Sequence, residues 1–184
     1  MSDPPHKQVS QVLGSMVLTT KSASDAQLAI DWLKQHPETS ADFLVSKLLE
    51  LAILTSTSPD EYVILQAKTR LGDEAKRGKF TDLLFNAVRA IPDEQIIGWG
   101  KQYAVASRSH RMVVALLESV PDNESIAMAM NSWKEWIYSP IEPDMLRAIL
   151  TADPSNKKAR RRAMYWMSRN RKHHCYKSIS QVLN

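Results

Sequence analysis

Ser58-Pro-Asp-Glu-Tyr-Val-Ile-Leu-Gln-Ala-Lys-Thr-Arg-Leu-Gly72 is the most explicit helix in the chain. The serine offers a cap, the proline suits a first turn, and two acids face the positive end of the helix dipole. Glu61 completes a capping box with Ser58. Behind that start, Val63, Ile64, Ala67 and Leu71 recur at helical spacing, and Gly72 supplies a C-terminal stop. The same grammar extends upstream. Ser40 reads as the cap of a helix striped by Leu44, Val45, Leu48, Leu49, Ala52 and Ile53. Ser24-Asp-Ala-Gln27 reads as a capping box, opening a helix with Leu28, Trp32 and Leu33 on one face and ending before Pro37. Val9 to Thr20 reads as a first, modest helix.

Downstream, Gly72-Asp-Glu-Ala-Lys-Arg-Gly78 is polar and bracketed by glycines, the composition of a linker. Helices are then expected over Phe80–Ala90, Pro92–Ala106 and Ser109–Ser119. Asn123 reads as the cap of a helix reaching Tyr138, with Ile126, Met130, Trp133 and Ile137 inward. Pro143 opens a short helix carrying Met145, Leu146, Ile149 and Leu150, Pro154 begins a basic helix, and Lys172–Leu183 closes the series. No alternating run bounded by turn dipeptides competes with these helices. The expected fold is all-α: two antiparallel helical bundles joined by a short linker, with a basic C-terminal helical segment. The expected boundaries are 1–72, a linker at 73–79, 80–153 and 154–184.

Composition agrees. Five glycines against eight methionines favour helix over sheet. A 43% hydrophobic, 24% charged chain can bury a core, which excludes wholesale disorder. No apolar run approaches the roughly 20 residues of a membrane span, and no signal peptide is recognisable, so the cytosol is the expected starting compartment. One cysteine, Cys175, excludes an internal disulfide and suits a reducing compartment.

Charge is divided unevenly. After Asp153 there is no acid, while nine bases follow: Lys157, Lys158, Arg160, Arg161, Arg162, Arg169, Arg171, Lys172 and Lys177. The remaining 15 bases share residues 1–153 with all 20 acids, so a body of −5 precedes an end of +9. A solvated face normally mixes signs. An unmixed one calls for an anionic partner, and these nine residues are the expected binding site for RNA or a lipid headgroup. A phosphodiester backbone and an anionic membrane both satisfy that demand. Tyr165 and Trp166, in the same helix, suit either base stacking or anchorage in the core.

No catalytic constellation emerges, and the chain is expected not to be an enzyme. There is no glycine-rich phosphate loop and no nucleophile elbow. The acid pairs Asp73/Glu74 and Asp93/Glu94 fall in the linker and at a helix start. His173-His174-Cys175 invites a metal, but consecutive ligands on a helix diverge by about 100°, and His6, His36 and His110 lie at no ligand spacing. No metal and no cofactor are expected.

The segment Leu28-Ala-Ile-Asp-Trp-Leu-Lys-Gln-His-Pro37-Glu-Thr-Ser40 resembles the matrix proteins of influenza-type viruses, the orthomyxoviruses. In that family a Trp-Leu-Lys helix end is followed by proline, serine and a hydrophobic helix closing on Leu-Thr, here Leu54-Thr55. A serine-led helix ending in a polar glycine stretch follows, as in Ser58 to Gly78, and the number of helices agrees. The resemblance in residues covers about 45 positions. It implies a structural protein that polymerises beneath a viral envelope, touches anionic lipid and binds ribonucleoprotein. Its places would be the virion, host cytoplasm and nucleus. The family's basic cluster, on a helix soon after the linker, is not carried over, because Phe80–Ala106 holds only Arg89 and Lys101. Arg108-Ser-His-Arg111 matches a stretch near the family's zinc-like motif but lacks its cysteines, so no zinc is expected there. The competing expectation is a cellular or phage nucleic-acid-binding or adaptor module. Affinity for anionic vesicles separates the two.

Overall fold

The computed structural model describes residues 5–37, 42–55 and 60–183. Among these residues the chain forms eleven α-helices and one 3-10 helix, and no strand. It divides into two compact units, Met1–Ile96 and Ile97–Asn184.

In the first unit α1 (Pro5–Thr20), α2 (Ala23–Gln35), α3 (Asp42–Thr55), α4 (Glu61–Lys76) and α5 (Asp82–Ala90) gather around α3, which packs against the other four. Its Leu44, Val45, Leu48 and Leu49 are buried as the stripe requires. Ser40, Ser58 and Pro59, and the side chains of Ala52 and Ile53, lie outside the described residues. The start of α4 is capped by Asp60, whose carboxylate accepts from Tyr62 N at 2.8 Å. In α2 the expected capping box is not made. Ser22 is the cap residue, Ser24 lies inside the helix and bonds Ser22, and Gln27 bonds Asp31 instead. The inward face is Ala29, Ile30 and Leu33, and Leu28 is exposed.

Part of the stretch expected as a linker is helical: α4 continues through Gly72 to Lys76, and the chain divides into two compact units near Ile96. One glycine inside a helix costs only about 1 kcal/mol. Glu74, read as a linker acid, is buried. Its carboxylate accepts from Thr81 N and Thr81 Oγ1, both at 2.9 Å, and from Arg70 Nε at 3.4 Å, which ties the helix end to the start of α5. The stop comes at Gly78, whose φ of 65° suits a residue without a Cβ.

Helix α6 (Glu94–Ser107) spans the division between the units. Asp93 caps it, accepting from Gln95 N and Ile96 N. The second unit continues with α7 (His110–Ser119), α8 (Asn123–Ser132), a 3-10 turn (Trp133–Glu135), α9 (Glu142–Ala152), α10 (Lys157–Arg169) and α11 (Tyr176–Leu183). Helix α9 is its axis, packed against α7, α8, α10 and α11, with Met145, Leu146, Ile149 and Leu150 fully buried as expected.

Three expectations shift for α8. Asp122, not Asn123, caps α8, and the helix ends at Ser132 instead of reaching Tyr138. Its buried positions are Ser125 and Ala129, with Trp133 beyond them, in place of Ile126 and Met130.

Asp122 also carries a pH signature. Burial alone would raise its carboxyl, but hydrogen bonds from Lys101 Nζ and Ser125 N, each 2.7 Å, outweigh this and hold it at about 2. A folded value below the unfolded one stabilises above about pH 4, and that contribution is lost as pH falls through the folded value. An NMR acid titration is expected to place the Asp122 side-chain midpoint near 2. A midpoint near the ordinary carboxylate value would sink this account of the α8 cap.

Candidate functional site

Helix α10 exists because Asn156 caps it, its Oδ1 accepting from Ala159 N at 3.0 Å, and because Ala159, Ala163 and Trp166 bury one face. Asp153 shapes the turn before it, accepting from Ser155 N, Ser155 Oγ and Asn156 Nδ2. The Ser155 bonds keep the Asp153 carboxyl below its ordinary range. Helices advance about 100° a residue, so Lys157 and Arg161 fall opposite that buried face, and Lys158 and Arg169 fall on its flank. This far side opposes local electrostatics. The first turn of α10 holds no acid, and cations there stand against the positive end of the dipole, each unfavourable by about 0.3–1 kcal/mol.

The nine expected anion-binding residues separate into two groups. Seven are exposed: Lys157, Lys158, Arg161, Arg169, Arg171, Lys172 and Lys177. None of these seven makes an ion pair with a described residue. Lys158 lies over the Trp133 ring at 5.5 Å, which leaves its charge facing solvent. The other two are engaged by the protein. Arg160 donates to the carbonyls of Leu183 (2.7 Å) and Pro154 (3.3 Å), pinning the end of α11 to the start of α10. Arg162 is bound at Nε and Nη2 by the Glu142 carboxylate, the Nη2 contact being 3.1 Å. That bond raises Arg162 above its ordinary value, and Glu142 is 1% exposed. Arg162 is therefore committed to a buried pair.

Glu142 does a second thing. Its Oε2 accepts from Tyr138 N at 2.8 Å, holding Tyr138 at a φ of 67°. A bulky residue in that region costs about 1–3 kcal/mol. The Tyr138 side chain is nonetheless 77% exposed, so burial does not offset the strain. Arg162 Cζ sits 4.6 Å from the Tyr138 ring centroid and 5.0 Å from that of Tyr165, and Arg169 Cζ sits 4.8 Å from Tyr165. Rings and guanidiniums thus alternate along one wall of a groove of about 450 Å³ lined also by Pro140, Asn170 and His173. Of the two aromatics expected either to stack or to anchor, Trp166 is core and Tyr165 is open to solvent. Sequence reasoning missed Tyr138 and Glu142. The only available signal was an acid immediately before Pro143, which reads as an ordinary first-turn residue.

His173, His174 and Cys175 are not helical, since α11 starts only at Tyr176. The turn brings their ligand atoms within 4.8 Å of one another, so divergence along a helix does not separate them. The His173 and His174 rings stack at 4.3 Å, His173 Nδ1 accepts from Cys175 N, and burial pushes the Cys175 thiol up. Arg108-Ser-His-Arg111 is the start of α7, with Ser109 Oγ accepting from Met112 N at 3.4 Å. No described helix is long and apolar enough to cross a membrane. No protein-family model, curated protein or solved structure matches the chain.

Proposed function

We propose that this chain is a matrix-type structural protein, of the kind the orthomyxovirus resemblance implies. It acts by binding and assembly rather than catalysis. In this reading it is built as two helical bundles, self-associates beneath an anionic membrane, and contacts ribonucleoprotein or RNA through its basic C-terminal face. The observation that carries the reading is the set of seven exposed cations on α10, α11 and the turn between them, unneutralised by any described residue. A chain that keeps cations at the wrong end of a helix dipole accepts a stability cost, and an anionic partner gives that cost a use. The acidic body supplies a complement on a second copy. A basic end meeting an acidic body is a heterologous contact, which extends into polymers when it does not close.

Co-flotation with liposomes tests the membrane arm. Flotation is expected with phosphatidylserine, not with neutral lipid, and is expected to vanish at high salt. A variant with Lys157, Lys158, Arg161, Arg171, Lys172 and Lys177 changed to Gln should stay in the soluble fraction. Binding to RNA without any flotation would instead favour the nucleic-acid module, a reading supported by the exposed Tyr138 and Tyr165 beside the cations.

A further inference from the structure

We infer that the groove walled by Tyr138, Arg162, Tyr165 and Arg169 takes a single-stranded nucleic acid, with one base stacked on Tyr138 and the phosphate of a neighbouring nucleotide at Arg169. The inference rests on the proposed binding of an anionic partner by the C-terminal face, and adds to it a site that reads bases.

Three observations converge. Tyr138 is held in a left-handed conformation by the Glu142 carboxylate, yet its ring is left in solvent. Strain kept for a ring that burial does not reward is a mark of function. Arg162, clamped by Glu142, lies over one face of that ring at 4.6 Å, and the 77% exposure of Tyr138 leaves ring surface for stacking. The ladder then continues through Tyr165 to Arg169, which is exposed and has no acidic partner among the described residues. His173, on the same groove, accepts Cys175 N–H at Nδ1, so its neutral ring carries its proton on Nε2 and is a second donor for phosphate oxygens.

The volume, about 450 Å³, is that of a small-ligand pocket rather than a protein-docking face. Arg171 and Lys172, exposed and between the groove residues Asn170 and His173 in sequence, offer further cations to neighbouring phosphates. A phospholipid headgroup would use Arg169 but has no planar surface for Tyr138, so the ring favours a nucleic acid over a membrane.

The test uses the full chain and three probes: a fluorescent oligouridylate, an abasic oligomer of equal length and charge, and phosphatidylserine vesicles. The wild type is expected to bind oligouridylate about tenfold more tightly than the abasic strand, the range of one base–aromatic stack. Tyr138→Leu should erase that difference and leave abasic and vesicle binding unchanged, while Tyr138→Phe should keep it. Ultraviolet cross-linking of oligouridylate should map to Tyr138. Equal affinity of the wild type for both strands, with Tyr138→Leu without effect, overturns the groove proposal while leaving the basic face intact. Failure to bind either strand or vesicles overturns the proposed function as well. Loss of vesicle binding in Tyr138→Leu to the same extent as oligouridylate would overturn the nucleobase assignment in favour of a headgroup.

Discussion

Changing Lys157, Lys158, Arg161, Arg171, Lys172 and Lys177 together to Gln is expected to reduce affinity for single-stranded RNA by on the order of a thousandfold at low salt. All six are exposed and none is ion-paired to a described residue, so each charge is available to a phosphate. With Arg169 they make seven potential contacts. At about 0.7 per contact, log K of the wild type should fall with log salt at a slope near −5, and the variant at a slope near −1. Anisotropy titrations across a salt series read both numbers. A wild-type slope already near −1 would mean that the cations do not meet phosphates at all. Gln keeps helix propensity close to that of Lys and Arg, so the helix itself is preserved. Arg160 and Arg162 are left alone because their guanidiniums hold the fold together.

The second large effect concerns stability. Glu142→Leu is expected to cost about 3–5 kcal/mol, because it leaves the Arg162 charge without its carboxylate. It also takes the acceptor from Tyr138 N–H. The double variant Glu142→Leu/Arg162→Leu should recover most of that loss, since replacing both partners of a buried pair is often nearly neutral. Urea unfolding at neutral pH compares the three proteins. Equal destabilisation of the single and double variants would show that the lost packing, not the stranded charge, was responsible.

The all-helical class was legible because caps and stripes are local. Pro143 at the start of α9, Ser109 at the start of α7 and the stripes of α3 and α9 are read from residues a few positions apart. What failed was set by distant partners. The polar stretch after Gly72 is helical to Lys76 because Glu74 finds Thr81 across the turn, and composition cannot report that bond. The site shows the same division. Nine cations were visible as a cluster, but which two were consumed depended on Glu142, twenty residues from Arg162, and on the carbonyl of Leu183. Tyr138 was read as the end of a helix. Its left-handed backbone is held by the Glu142 carboxylate, a bond that no local sequence pattern announces.

The acid-free first turn of α10 has a consequence for stability as well as for binding. Repulsion between Lys157 and Lys158, added to the dipole, sets a cost against the Asn156 cap of this turn. An anion bound there would remove the repulsion and be repaid in helix. Partner and helix then stabilise one another by mass action, so the melting temperature rises with polyanion concentration.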